Sequence, residues 1–137
     1  MVVGRIEWLS LLREARNSYV QAQYVAAVLV AFAFIEHTIA EALIEHGLDK
    51  PRMALETAIA TAGKNRLFPE PLLDRADELR RVRNPFAHRR PDSDPDTLGS
   101  RYLARRVHPQ TVLEADAQEA LQLTFAFYRH AIEGASA

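Results

Sequence analysis

The chain has 137 residues, 48% of them hydrophobic and 26% charged, with a formal net charge of −1. That balance fits one globular domain with one core, excludes a disordered tail, and leaves the whole molecule without a strong pull on nucleic acid. There is no cysteine, which removes disulfides, thiolate catalysis and cysteine-based zinc sites.

Met1 to Arg5 show no basic segment followed by an apolar one, so no signal peptide is expected and the chain reads as cytoplasmic. Trp8, Leu12, Ala15 and Tyr19 recur at helical spacing and predict a first helix over 5–18. A long helix is expected over 20–47, with Val28, Phe32, Ile35, Ile39 and Leu43 on one face and Ala26, Ala27, Ala31, Ala33 and Ala40 allowing close approach. Its most apolar run, Tyr24 to Ile35, ends at Glu36 and His37. That run is too short to span a bilayer, so a buried core helix and no membrane contact are expected. Gly47 suits the residue just past its end, and His46 the negative end of its dipole.

Pro51 suits a first helical position and predicts a short helix over 51–63. After a loop at 64–71, a helix over 71–83 carries Leu72, Leu73, Ala76, Leu79 and Val82 as its stripe. Asn84-Pro85 should interrupt it, with Asn84 capping a further short turn through Arg90. A polar loop from Pro91 to Pro95, a short helix over 97–106 and a break at His108-Pro109 follow. The closing helix, 112–133, has Leu113, Ala117, Leu121, Phe125, Tyr128 and Ile132 in one stripe and stops at Gly134. No strand pattern occurs. The expected fold is all-α, a four- to five-helix up-down bundle forming a single domain over 1–137.

Leu79 to Arg90 concentrates the chemistry, with Arg80, Arg81, Arg83, His88, Arg89 and Arg90 in twelve residues. On an unbroken helix, a step of five residues turns about 500°, so Arg83 and His88 would diverge by about 140°. A corner at Asn84-Pro85 would turn both towards one cleft. A histidine there takes or gives a proton near neutral pH, and an arginine clamps phosphate and stabilises charge on its oxygens. Asn84 offers both a donor and an acceptor for orientation. Together they suit attack of an RNA 2′-OH on its neighbouring phosphate, with no metal and no cofactor. Arg80, Arg81, Arg89 and Arg90 would hold the polyanion. A bare arginine and histidine five apart is a weak pattern; the asparagine and the basic flanks sharpen it. The bland alternative is a solvated face, its arginines paired with Asp74, Asp77 and Glu78 along the same helix.

Arg83-Asn84-Pro85-Phe86-Ala87-His88 resembles the Arg-polar-x3-His signature of HEPN domains, and the helical layout resembles them over most of the chain. The resemblance implies a metal-independent endoribonuclease of the toxin–antitoxin, abortive-infection or CRISPR-linked kind. It also implies a four-helix bundle that is usually dimeric, with the motifs of two subunits facing each other. Arg83 and His88 would be catalytic and Asn84 the polar orienting residue. The implied partners are RNA, a second copy of the chain, and an antitoxin or other protein. Other members of the family are non-catalytic adaptors. The branch found beside minimal nucleotidyltransferases has a tyrosine two residues after the histidine; Arg90 stands there here. The residues themselves favour a pair of subunits, since one histidine per chain does not readily serve as both acid and base across a phosphate.

Glu36 and His37 are candidates to orient Arg83, though such residues more often mark where a helix meets solvent. A bundle di-metal site needs Glu-x-x-His pairs from two helices. The chain has no Glu-x-x-His, so no metal is expected. His108 and His130 read as structural or surface residues. Phe125, Phe127 and Tyr128 read as core or subunit interface rather than a platform for bases.

Overall fold

The computed structural model describes residues 3–87, 91 and 93–136. Among the described residues six helices follow one another: α1 (Val3–Val20), α2 (Tyr24–Glu45), α3 (Leu55–Lys64), α4 (Glu70–Ala87), α5 (Leu98–Arg105) and α6 (Pro109–Ser136). Among the described residues there is no strand. The all-α expectation stands. Four of the six are long, and the two short ones, α3 and α5, stand near the short helices expected over 51–63 and 97–106, so the count is six rather than four or five.

The centre is α2, which packs against α1, α3, α4 and α6. Val28, Phe32, Ile35, Ile39 and Leu43 are all buried, as their spacing requires. Its most apolar 18 residues have a mean hydropathy of 1.8, so by length and composition α2 would cross a bilayer. Half of that stretch is buried by the helices around it, the pattern of a core helix.

Short connections set the directions. Ala22 adopts φ 60°, which lets the Gln23 amide donate to Ser18 O at 2.8 Å and reverses the chain between α1 and α2. Gly47, at φ 66°, ends α2 in the same way, with Leu48 N donating to Leu43 O at 2.9 Å. Trp8 of α1 stacks on Phe34, 5.0 Å between ring centroids, and touches Tyr128 of α6 at 5.2 Å. Its indole N–H donates to Thr38 Oγ1 at 2.7 Å. Ala31 faces Thr124 while Phe34 and Tyr128 share Trp8, so α2 and α6 run in the same direction. Phe68, just before α4, meets Phe127, whereas Val82 near the other end of α4 faces Asp116; α4 therefore runs against α6.

Two expectations change. The corner at Asn84-Pro85 does not form: α4 continues through Pro85 to Ala87. Proline inside a helix loses one hydrogen bond and typically costs about 3 kcal/mol. Here it sits two residues from the helix end, where only the last turn is affected. Leu79 is buried and Val82 and Phe86 half-buried, so packing holds the turn in place. The stripe on α6 also differs. Its buried face is Val112, Asp116, Ala117, Ala120, Leu123, Thr124 and Phe127, while Phe125 and Ile132 lie in solvent at 40% and 37% exposure. Small Ala120 and Thr124 let α2 come close, and counting only large apolar side chains put the stripe about one residue aside. Smaller shifts follow the same logic. Pro51 lies in a turn before α3 rather than opening it, Pro109 opens α6, and α6 runs through Gly134.

Candidate functional site

The last two turns of α4 carry the residues singled out in the sequence. Arg83 points at α2. Its guanidinium carbon lies 4.7 Å from the centroid of the Phe32 ring, a cation–π contact. Its Nε is buried without a hydrogen-bond partner. Among the described residues no carboxylate pairs with it. Phe32 is 1% exposed, so the ring is part of the core and does not move aside easily.

Arg80 and Arg81 are placed differently. Arg80 Nε donates to Asp77 Oδ1 at 2.9 Å, and Arg81 Nη2 reaches Asp77 Oδ2 at 3.4 Å. These are pairs one helical turn apart, so the solvated-face alternative holds for these two arginines through Asp77. Both also line a groove of about 170 Å³ with Asn84, Pro85, Asp94 and Asp96. The groove is therefore mixed in charge: two arginines stand opposite two aspartates, with Asp77 already shared between the arginines. Asp94 is held by its own turn, its Oδ1 accepting from Asp96 N at 2.8 Å.

Arg83 does not line this groove, although Asn84 does. Neighbours on a helix are turned about 100° apart, so one faces Phe32 and the other faces the loop after α4. His88, Arg89 and Arg90, the expected general acid–base and two of the expected RNA contacts, lie outside the described residues.

A second cluster joins α5 to α6. Arg101 Nη1 donates to Asp116 Oδ2 at 2.6 Å, and both side chains are largely enclosed. The other two guanidinium nitrogens, Nε and Nη2, are buried without a partner. Beside them, a cavity of about 150 Å³ is lined by Arg75, Glu78, Leu79, Arg105, Asp116 and Glu119, among others. Thr97 caps α5, accepting from Ser100 N at 3.2 Å, which holds Arg101 over α6.

The remaining candidates take structural places. Glu36 is exposed, and His37 Nε2 lies 3.9 Å from Glu41 with no hydrogen bond. Among the described residues neither makes a hydrogen bond or ion pair with Arg83; Phe32 is what touches it. His108 opens α6: its Nδ1 accepts from Gln110 N at 3.0 Å. His130 lies against Phe68, 5.1 Å between ring centroids. Phe127 is core, Tyr128 packs on Trp8, and Phe125 is exposed. Among the described residues no three histidine, aspartate or glutamate side chains converge on a metal position. The Tyr24 phenol is pushed above its ordinary value, first by partial burial and then by Glu114 and Tyr19.

Sequence reasoning missed Phe32 as the partner of Arg83, because an aromatic at core spacing reads only as core. It missed Asp116, because one acid beside an apolar helical stripe gives no sign in the sequence that it is buried. Asp94 fell in the expected polar loop and Asp96 just beyond it; their charge, close in sequence to an arginine run, was the available signal. No family model matches the chain. Neither the curated proteins nor the solved structures give a match.

Proposed function

We propose that the chain is a cytoplasmic, metal-independent endoribonuclease of the HEPN type, acting as a homodimer with a composite site, in the manner of toxins and defence effectors. The observation that carries this reading is the Arg83 guanidinium. It stands at the end of α4 over Phe32, with no carboxylate partner among the described residues, at the head of an Arg-Asn-x3-His sequence. In the proposed mechanism Arg83 takes a phosphoryl oxygen and His88 moves the proton of the 2′-OH. The histidine of the second subunit returns a proton to the leaving 5′ oxygen. The 2′ oxygen forms its bond to phosphorus as the 5′ oxygen leaves, which gives a 2′,3′-cyclic phosphate end. Asn84 orients the backbone of the substrate from the adjoining face.

The test is cleavage of single-stranded RNA in EDTA, with end-group analysis. His88→Ala should lower the rate by about 10²–10⁴-fold, the usual share of general acid–base catalysis. Equal cleavage by wild type and variant, or a monomer with full activity, would overturn the reading.

A second reading has its own observation. Asp77 engages Arg80 and Arg81, and Asp94 and Asp96 line the groove beside them. Acids placed there weaken a polyanion site and suit a non-catalytic HEPN-like module that docks a partner protein or holds RNA without cutting it. That module would form the same dimer and leave RNA intact.

A further inference from the structure

We propose that Phe32 is a positioning residue, and that its ring makes Arg83 the phosphate-receiving arginine of the Arg80–Arg83 run. The inference rests on the ribonuclease reading only for the claim that the phosphate belongs to RNA.

The three arginines differ in which donors they have already engaged. A guanidinium carries five N–H donors in one plane and recognises phosphate by presenting two of them together. Arg80 has given its Nε to Asp77, and Arg81 an Nη. An incoming phosphate must compete with that carboxylate for both. Arg83 is held by a different force. The negative face of the Phe32 ring attracts the cation 4.7 Å away, and this attraction uses none of the N–H groups. Its Nε hydrogen remains without an acceptor. With Nε buried, the two Nη groups, neither paired with a carboxylate among the described residues, are the donors a phosphate would meet.

Phe32 also supplies rigidity. It is enclosed in the middle of α2, which is packed between α1, α3, α4 and α6. A guanidinium seated on such a ring loses less freedom when it binds than one on a free side chain. Arg83 thus differs from its neighbours in both respects that matter, free donors and a fixed seat.

The experiment follows the arginine Nε–H signals of the full chain by nitrogen–proton NMR during titration with inorganic phosphate. The Arg83 signal should lie upfield, shifted by the Phe32 ring current, and should move saturably with phosphate. Arg80 and Arg81 should move less. Site-specific trifluorination of the Phe32 ring keeps its shape and drains its negative face. It should weaken phosphate binding at Arg83 about two- to fivefold, the range of an exposed to partly buried cation–π contact. Phe32→Leu should abolish the upfield shift, and circular dichroism reports whether that variant folds. An Arg83 signal at the ordinary position would overturn the proposal. So would equal movement of all three arginines, or unchanged affinity on fluorination. A chain that binds phosphate at Arg83 but cuts no RNA removes the ribonuclease reading and leaves this inference standing.

Discussion

Arg101 on α5 and Asp116 on α6 meet at 2.6 Å with only 11% and 9% of their side chains exposed, the most enclosed ion pair among the described residues. Removing one partner strands the other charge in a poorly solvated place. Asp116→Ala should therefore destabilise the fold by about 3–5 kcal/mol, as read by urea unfolding. Replacing both residues together, Arg101→Met with Asp116→Leu, should cost much less or nothing. If the single variant proves as stable as the double, the pair is not closed to solvent.

Trp8 is the single tryptophan, and its N–H donates to Thr38 Oγ1 at 2.7 Å. Thr38→Val keeps the volume and removes the acceptor. A loss of about 1 kcal/mol is expected, the lower end of the range because the indole is only half-buried. Tryptophan emission reports it directly, through an earlier denaturant midpoint with the folded-state spectrum little changed.

Charge removal around the arginine groove gives a third outcome. Asp77→Asn releases Arg80 and Arg81, which both pair with that carboxylate. Affinity for a single-stranded RNA should rise, and its salt dependence should steepen by a slope of about 1.4 if both arginines gain a phosphate. An unchanged slope would place the RNA elsewhere on the molecule and favour the module that binds protein.

The Tyr24 phenol, raised by partial burial and then by Glu114 and Tyr19, links stability to alkaline pH. The folded state holds this proton more tightly than the unfolded one, whose phenol titrates near pH 10. The contribution is present in full below about pH 10 and is lost as pH rises through the higher folded value. In absorbance titration, Tyr24→Phe should remove a late-titrating phenol. A curve with the same late phase would reject the assignment.

These residues also show what could be read from sequence. The core of α2 was legible because Val28, Phe32, Ile35, Ile39 and Leu43 are large, apolar and regularly spaced. Gly47 was legible because only a left-handed backbone ends the helix that way, and it adopts φ 66°. Pro85 misled, because local rules give a break while the packing of Leu79, Val82 and Phe86 lies outside them. The site divides along the same line. That arginines crowd the end of α4 was plain; which of them meets Asp77 and which meets Phe32 depends on helix rotation and on a neighbour fifty residues away.

The placement of α2 bears on the order in which the chain assembles. Its contacts with α1 lie close along the sequence and close quickly, across a turn of three residues. Its contacts with α6, Ala31 to Thr124, lie 93 residues apart and need a long loop to shut first. The α1–α2 hairpin is therefore the natural nucleus, and α6 the late arrival. Truncations at Thr124 or Phe127 should chiefly hasten unfolding, whereas truncations at Ala15 or Val28 should slow folding itself.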